Sequence, residues 1–213
     1  MEAAETADLP VDALGDARER LLALIRETAV VRGRVTLSSG AEADYYVDLR
    51  RITLHHEAAP LVGRVMLDLV DGRGLSPDAV GGLTMGADPV AAAMLHAASA
   101  QGRSLDAFVV RKQGKAHGLQ RQIEGPAVEG RAVVAVEDTM TTGGSVMTAV
   151  EALRAHGAQV LAVAVLVDRD TGARERIEAE GLDYLAVFTK DELGLDDGPA
   201  AGAGTGEPAR PTL

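Results

Sequence analysis

A chain of 213 residues with no cysteine and a formal charge of −11 is long enough for one domain with a proper core, or a core plus a small lid, and can hold neither a disulfide nor a thiolate metal site. The acidic balance speaks against a general nucleic-acid binder, and it means that an anionic substrate must be met by local cations working against the overall field. The longest apolar run, Val160 to Val167, is too short to span a bilayer, and the acidic opening Met1-Glu2-Ala3-Ala4-Glu5 lacks the basic-then-apolar order of a secretion signal, so the expected location is the cytoplasm with no membrane partner.

Residues 1–10 read as a disordered lead-in, and Pro10 can open a helix. From Val11 to Val31, Leu14, Ala17, Leu21, Leu24, Ile25 and Thr28 mark one face of an amphipathic helix. Gly33 to Arg50 reads as two short strands around the turn Ser38-Ser39-Gly40. Two of the chain's three tyrosines, Tyr45 and Tyr46, stand side by side there. Either both pack a small lid, or one flanks a flat ligand whose edge the neighbouring backbone reads. Residues 58–71 make a second amphipathic helix. Ala79 to Thr84 is a short strand, Met85 to Pro89 its turn, and Pro89 opens a helix to about Ala100. That turn is a candidate anion loop of low specificity, since many α/β turns match it.

Leu105 to Val110 is the next buried strand. Beyond it, Arg111-Lys112-Gln113-Gly114-Lys115-Ala116-His117-Gly118-Leu119-Gln120-Arg121 carries no acid in a chain that is acidic overall. Its glycines disfavour helix, so the expectation is a mobile cationic flap suited to closing over a diphosphate.

Val133 to Asp138 is a continuous apolar run ending in two carboxylates, the pattern of a strand buried on both faces of a parallel sheet. Thr139-Met140-Thr141-Thr142-Gly143-Gly144-Ser145 follows, and then Val146, Met147, Val150 and Leu153 recur at helical spacing. A hydroxyl- and glycine-rich loop feeding a helix N-terminus presents main-chain N–H groups and partial positive charge to an anion. Glu137 and Asp138 repel phosphate but accept hydrogen bonds from sugar hydroxyls, so the implied ligand is a ribose 5-phosphate. No Gly-Lys-Ser/Thr is present, which disfavours a Walker loop. Gln159 to Val167 is a further strand, and Arg169 at its carboxyl end can hold a carboxylate through two parallel hydrogen bonds, or else pairs with Asp168 or Asp170. Asp183 to Thr189 is the last strand, and from Gly194 the chain turns Gly/Ala/Pro-rich. The expected fold is α/β, a parallel sheet with right-handed crossovers and helices on both faces. Residues 11–57 form a small N-terminal hood of helix and hairpin over its carboxyl edge, 58–193 the core and 194–213 a disordered tail.

Together, Ser38-Ser39-Gly40, Tyr45-Tyr46, Asp48-Leu49-Arg50, the Arg111–His117 loop, Glu137–Ser145 and Val167-Asp168-Arg169 resemble the orotate phosphoribosyltransferase family of type I phosphoribosyltransferases over most of residues 15–190. The resemblance implies transfer of ribose 5-phosphate from 5-phospho-α-D-ribosyl 1-diphosphate (PRPP) to orotate, giving orotidine 5′-monophosphate and pyrophosphate in pyrimidine synthesis. It implies that Glu137 and Asp138 hold the ribose hydroxyls and that Thr139 to Ser145, including Met140, surround the 5′-phosphate, with Thr141, Thr142, Gly143, Gly144 and Ser145 as the cradle. Thr141, Arg169 and the backbone around Tyr45 and Tyr46 would meet orotate. Arg111, Lys112, Lys115 and His117 would contact the diphosphate, with Lys115, His117 and Arg111 as the catalytic cations. Mg²⁺ would be held mainly by substrate oxygens rather than protein ligands, and the enzyme would be a homodimer whose 111–121 loop closes over the partner's site.

Two positions depart from many relatives, which have lysine where Ser38 and Gly86 stand here. The lost charge would come from the flap and Mg²⁺, or from Arg50 or Arg51. A purine-type phosphoribosyltransferase would share the Glu137–Ser145 stretch but not the Tyr45-Tyr46 hairpin with Arg169. A PRPP-binding regulator would be expected to add a basic nucleic-acid face that this acidic chain lacks.

Overall fold

The structure is a computed structural model that describes residues 12–36, 42–112 and 122–195. Its first helix, α1 (Asp12–Leu24), ends earlier than the apolar pattern suggests. The pattern continues through Ile25 and Ala29, but these lie in a π-helical turn, Ile25–Ala29, and the β-branched pair Val30-Val31 already belongs to strand β1 (Val30–Thr36). Strand β2 (Glu42–Val47) pairs antiparallel with β1, from Val30↔Val47 to Thr36↔Glu42, with an irregularity between Arg32 and Val35. The hairpin is therefore present, and its Ser38-Ser39-Gly40 turn lies outside the described residues. A four-residue helix, α2 (Arg50–Thr53), follows with Ile52 and Thr53 buried; nothing in the periodicity announced it.

The core sheet is built from β3 (Ala79–Leu83), β4 (Asp106–Val110), β5 (Ile123–Glu124), β6 (Ala132–Met140), β7 (Gln159–Asp168) and β8 (Asp183–Thr189), in the order β5-β4-β3-β6-β7-β8. All neighbours pair in parallel except β4 with β5. The sheet is thus not wholly parallel: the two-residue β5 runs back along Val109 and Val110 and hems the basic segment at both ends. Helices α3 (Ala58–Gly72), α4 (Ala87–Ala100), α5 (Gly144–Ala155) and α6 (Ala173–Ala179) cover both faces. Alternate residues of β6 serve the two sides. Val134 and Val136 join α1, α3 and α4 in one apolar cluster, while Val133 and Ala135 join α5 and α6 in the other. That explains why the strand is apolar without alternation. Among the described residues no helix is long and apolar enough to cross a membrane.

Helix α1 docks on this core rather than standing apart, since Ala17, Leu21 and Leu24 share the cluster of α3 and Arg18 donates to the Val187 carbonyl at 2.9 Å. The ordered chain also runs past Gly194, where the tail was expected to begin. Leu193 and Leu195 are both buried in the same cluster. The remaining tail, the lead-in 1–10 and the flap segment 113–121 lie outside the described residues.

Chain order reverses between β3 and β6: the connection from β3 leads to β4 on one side, whereas β6 lies on the other. An open α/β sheet binds ligands in the crevice above the carboxyl ends at such a switch point. Both glycine turns, Leu83–Gly86 and Thr141–Gly143, leave the sheet there.

Candidate active site

Strand β6 does not end at the acidic pair; it continues through Thr139 and Met140, paired with Val167 and Asp168 of β7. Room for two consecutive carboxylates arises on its other side. Pairing with β3 stops at Gly81↔Ala135, and the β3 turn bends off, so Glu137 and Asp138 project beyond it. Both line a cavity of about 610 Å³ bordered by Tyr46–Arg50, Leu83–Gly86, Lys112, Thr141, Ser145 and Arg169. Gly86 closes against them so tightly that a Cβ there would sit 2.6 Å from an oxygen of each carboxylate. Their own contacts are short-range, with the Asp138 amide donating to Glu137 Oε1 at 3.2 Å and the Thr139 amide to Asp138 Oδ1 at 2.7 Å. Burial, and then the adjacent Asp138 charge, pushes Glu137 up to about 8. Burial also raises Asp138, against the pull of the Thr139 amide, Glu137 and Arg50.

Beside this cavity, Thr139 to Ser145 form a second one of about 470 Å³ together with Lys112, Glu137 and Thr148. Gly143 takes φ +77° at the N-cap of α5, a left-handed conformation that suits glycine. No side chain caps the first amides of α5. A twelve-residue helix with uncapped N–H groups opening into a pocket of threonines is an anion cradle. Arg176 of α6 props the turn from behind by donating to the Thr142 carbonyl at 3.3 Å; its sequence surroundings gave no hint of this. Met140 borders the cradle, yet it is only 2% exposed and packs in the core.

Arg169 lies at the carboxyl end of β7, its guanidinium 5.4 Å from the Tyr45 ring centre. The contact joins the hairpin to the sheet's crevice. Among the described residues neither Asp168 nor Asp170 forms an ion pair with it, and its buried Nε has no partner. Tyr46, not Tyr45, lines the cavity. The two flap-base cations diverge. Lys112 borders both cavities, whereas Arg111 lines neither; the two share a third space of about 740 Å³, where Arg111 pairs with Glu124 of β5 at 3.6 Å. Lys115 and His117 fall outside the described residues. Among those described, no group of three or more acids or histidines gathers as a metal cage.

A switch-point crevice that sets a buried acidic pair beside a glycine-rich anion cradle defines the class of the type I phosphoribosyltransferases. In agreement, the Phosphoribosyl transferase domain matches residues 49–183. The orotate phosphoribosyltransferase of Streptomyces coelicolor is 68% identical over 182 residues, 85% of this chain and 99% of the relative. That of Mycobacterium tuberculosis is 58% identical over 182 residues, again 85% of this chain and 99% of the relative. A crystal structure of orotate phosphoribosyltransferase from Mycobacterium tuberculosis in complex with PRPP matches with a TM-score of 0.73 at 52% identity, covering 84% of this chain and 99% of that one. The chain belongs to the orotate phosphoribosyltransferase family.

Proposed function

We infer that the chain transfers the ribose 5-phosphate of PRPP to orotate, releasing pyrophosphate. The observation that carries this reading is the single crevice shared by the acidic pair, the α5 cradle and Arg169. In it the cradle holds the 5′-phosphate, Glu137 and Asp138 accept hydrogen bonds from the ribose hydroxyls, and Arg169 with Thr141 and the Tyr46 backbone receives orotate. A ring nitrogen of orotate forms the new bond to the anomeric carbon as the bond to the diphosphate oxygen breaks, and the electron pair leaves with pyrophosphate. Positive charge develops on the ribose, so the protein's task is to align the two reactants and to neutralise the leaving group. The proton on that ring nitrogen must leave as the bond forms, and the departing diphosphate, whose oxygen gains the electron pair, can take it, so the protein need not supply a separate base. Mg²⁺ fits a site with few protein ligands: it would travel on substrate oxygens with Glu137 and Asp138 nearby, and would supply charge neutralisation.

The test is loss of orotate absorbance on mixing purified protein, orotate, PRPP and Mg²⁺. Turnover with orotate and none with adenine, hypoxanthine or uracil is expected; turnover with a purine alone would discard the assignment. We also propose a cytoplasmic homodimer in which residues 111–121 of one protomer cover the other's site. Sedimentation equilibrium should give twice the chain mass, and a monomer that turns over normally would remove that part of the reading.

A further inference from the structure

Three of the described residues lining the larger cavity carry positive charge: Arg50, Lys112 and Arg169. Arg169 belongs to the end nearest Tyr45, and Lys112 is shared with the phosphate cradle. The corner formed by the Leu83–Gly86 turn and the acidic pair is short of positive side chains. Leu83, Thr84, Met85 and Gly86 are uncharged, and the first turn of α4 adds an acid, Asp88, which accepts from Thr84 Oγ1 at 2.7 Å. Glycine at position 86 leaves the turn without a cation, and a Cβ there would sit 2.6 Å from an oxygen of Glu137 and of Asp138.

Lys112 and Arg111 border Thr84 from the flap side, and Arg50 lines the cavity from the opposite side, together with the turn and the acidic pair. Arg50 and Asp138 line the same cavity, and the charge of each favours that of the other. Arg50 is also held in place. Nε donates to Asp48 Oδ1 at 2.8 Å, and Nη2 donates to the Tyr46 hydroxyl at 3.3 Å. A guanidinium has five N–H donors in a rigid fork, so these two bonds leave the others unspent. The side chain is 47% exposed and faces a cavity it helps to line. A preoriented fork with free donors matches the paired oxygens of a phosphoryl group.

We propose that Arg50 is a substrate-binding residue that meets the diphosphate of PRPP, and pyrophosphate after transfer, opposite the Leu83–Gly86 turn. Its neighbour Arg51 lines neither cavity. The inference rests on the phosphoribosyl-transfer reading, and two measurements keep them separable. The first is binding of inorganic pyrophosphate with Mg²⁺, by calorimetry, to the parent protein, Arg50→Ala and Arg50→Lys. The second is the KM for PRPP and for orotate of the same three proteins. Loss of a charge-assisted contact should weaken pyrophosphate binding and raise the PRPP KM by about ten- to a hundredfold. The orotate KM should stay near that of the parent, and lysine should recover part of the loss as a point charge without a fork. A role confined to holding the hairpin would move the melting temperature but not pyrophosphate binding. Should Arg50→Ala melt early, Arg50→Gln, which keeps a donor for Asp48, carries the test. Unchanged pyrophosphate binding, or a loss that falls only on orotate, overturns the assignment. A parent protein that binds pyrophosphate yet leaves orotate untouched would instead overturn the orotate reading and leave Arg50 standing.

Discussion

Replacing Lys115 by alanine is expected to lower turnover by about two to three orders of magnitude while the melting temperature stays that of the parent protein. The expectation comes from where charge must go. The transition state places growing negative charge on the departing diphosphate, inside a crevice that already holds Glu137 and Asp138. The described walls offer it Arg50, Lys112 and Arg169, while Arg111 is drawn aside by Glu124. The remaining concentration of cations is the acid-free segment from Arg111 to Arg121, whose ends are clamped by the β4–β5 pairing and by the Arg111 amide donating to the Gln122 carbonyl at 2.8 Å. Lys115 falls between those two ends in the sequence, in a glycine-containing polar stretch without an apolar period, so its loss is expected to leave folding alone. Single-turnover and steady-state rates with saturating PRPP, beside a thermal melt, decide it. A rate near the parent's would reject the role.

Glu137→Gln should yield a protein that is more stable and an enzyme that is worse. Burial beside Asp138 lifts the Glu137 carboxyl from its ordinary value to about 8. For an acid whose folded pKa is raised, the stabilising contribution is present below the unfolded pKa and is lost as pH rises through the folded one. The ionised pair therefore weighs against folding from the ordinary carboxylate range upward, most fully beyond about pH 8. Glutamine cannot ionise, so melts at about pH 9 should rise by roughly 3 °C or more, with a smaller gain at about pH 5. Catalysis moves the other way. An ionised carboxylate accepts the ribose hydroxyls, and an amide is a weaker acceptor, so kcat/KM for PRPP should drop by about ten- to a hundredfold. In the parent protein kcat/KM for PRPP should likewise decline as pH is lowered and the pair takes up protons. Equal stability across pH for parent and variant would sink the account of the pair, and an unchanged kcat/KM would sink its role in binding.

The opposed signs explain why this part of the molecule was legible in the sequence. Two carboxylates that end an apolar strand are hard to account for structurally, and a glycine–threonine turn leading into a helix is local in both sequence and space. The alternation of strands and helices, the helices on both faces and the last strand, Asp183–Thr189, followed from the same kind of local pattern. What escaped depended on contacts between distant segments. The end of α1 was overrun because Ile25 and Ala29 are as buried as a continued helix would require. Two residues, Ile123 and Glu124, are too few to show a period, so β5 went unseen, and with it the pairing of Arg111 with Glu124. Nor could Arg176 be known as a brace for Thr142, thirty-four positions away in the chain.

The brevity of β5 bears on how the molecule behaves in concentrated solution. A sheet that ended on β4 would display a bare row of amides and carbonyls able to recruit a foreign strand. Here the outermost strand is two residues deep and leaves the plane at once through Gly125, at φ +111°, followed by Pro126, which has no amide to donate. The strand that frames the flap thus offers a newcomer only two residues of ladder, and edge-to-edge association would find its longer template at the opposite margin, the seven-residue β8.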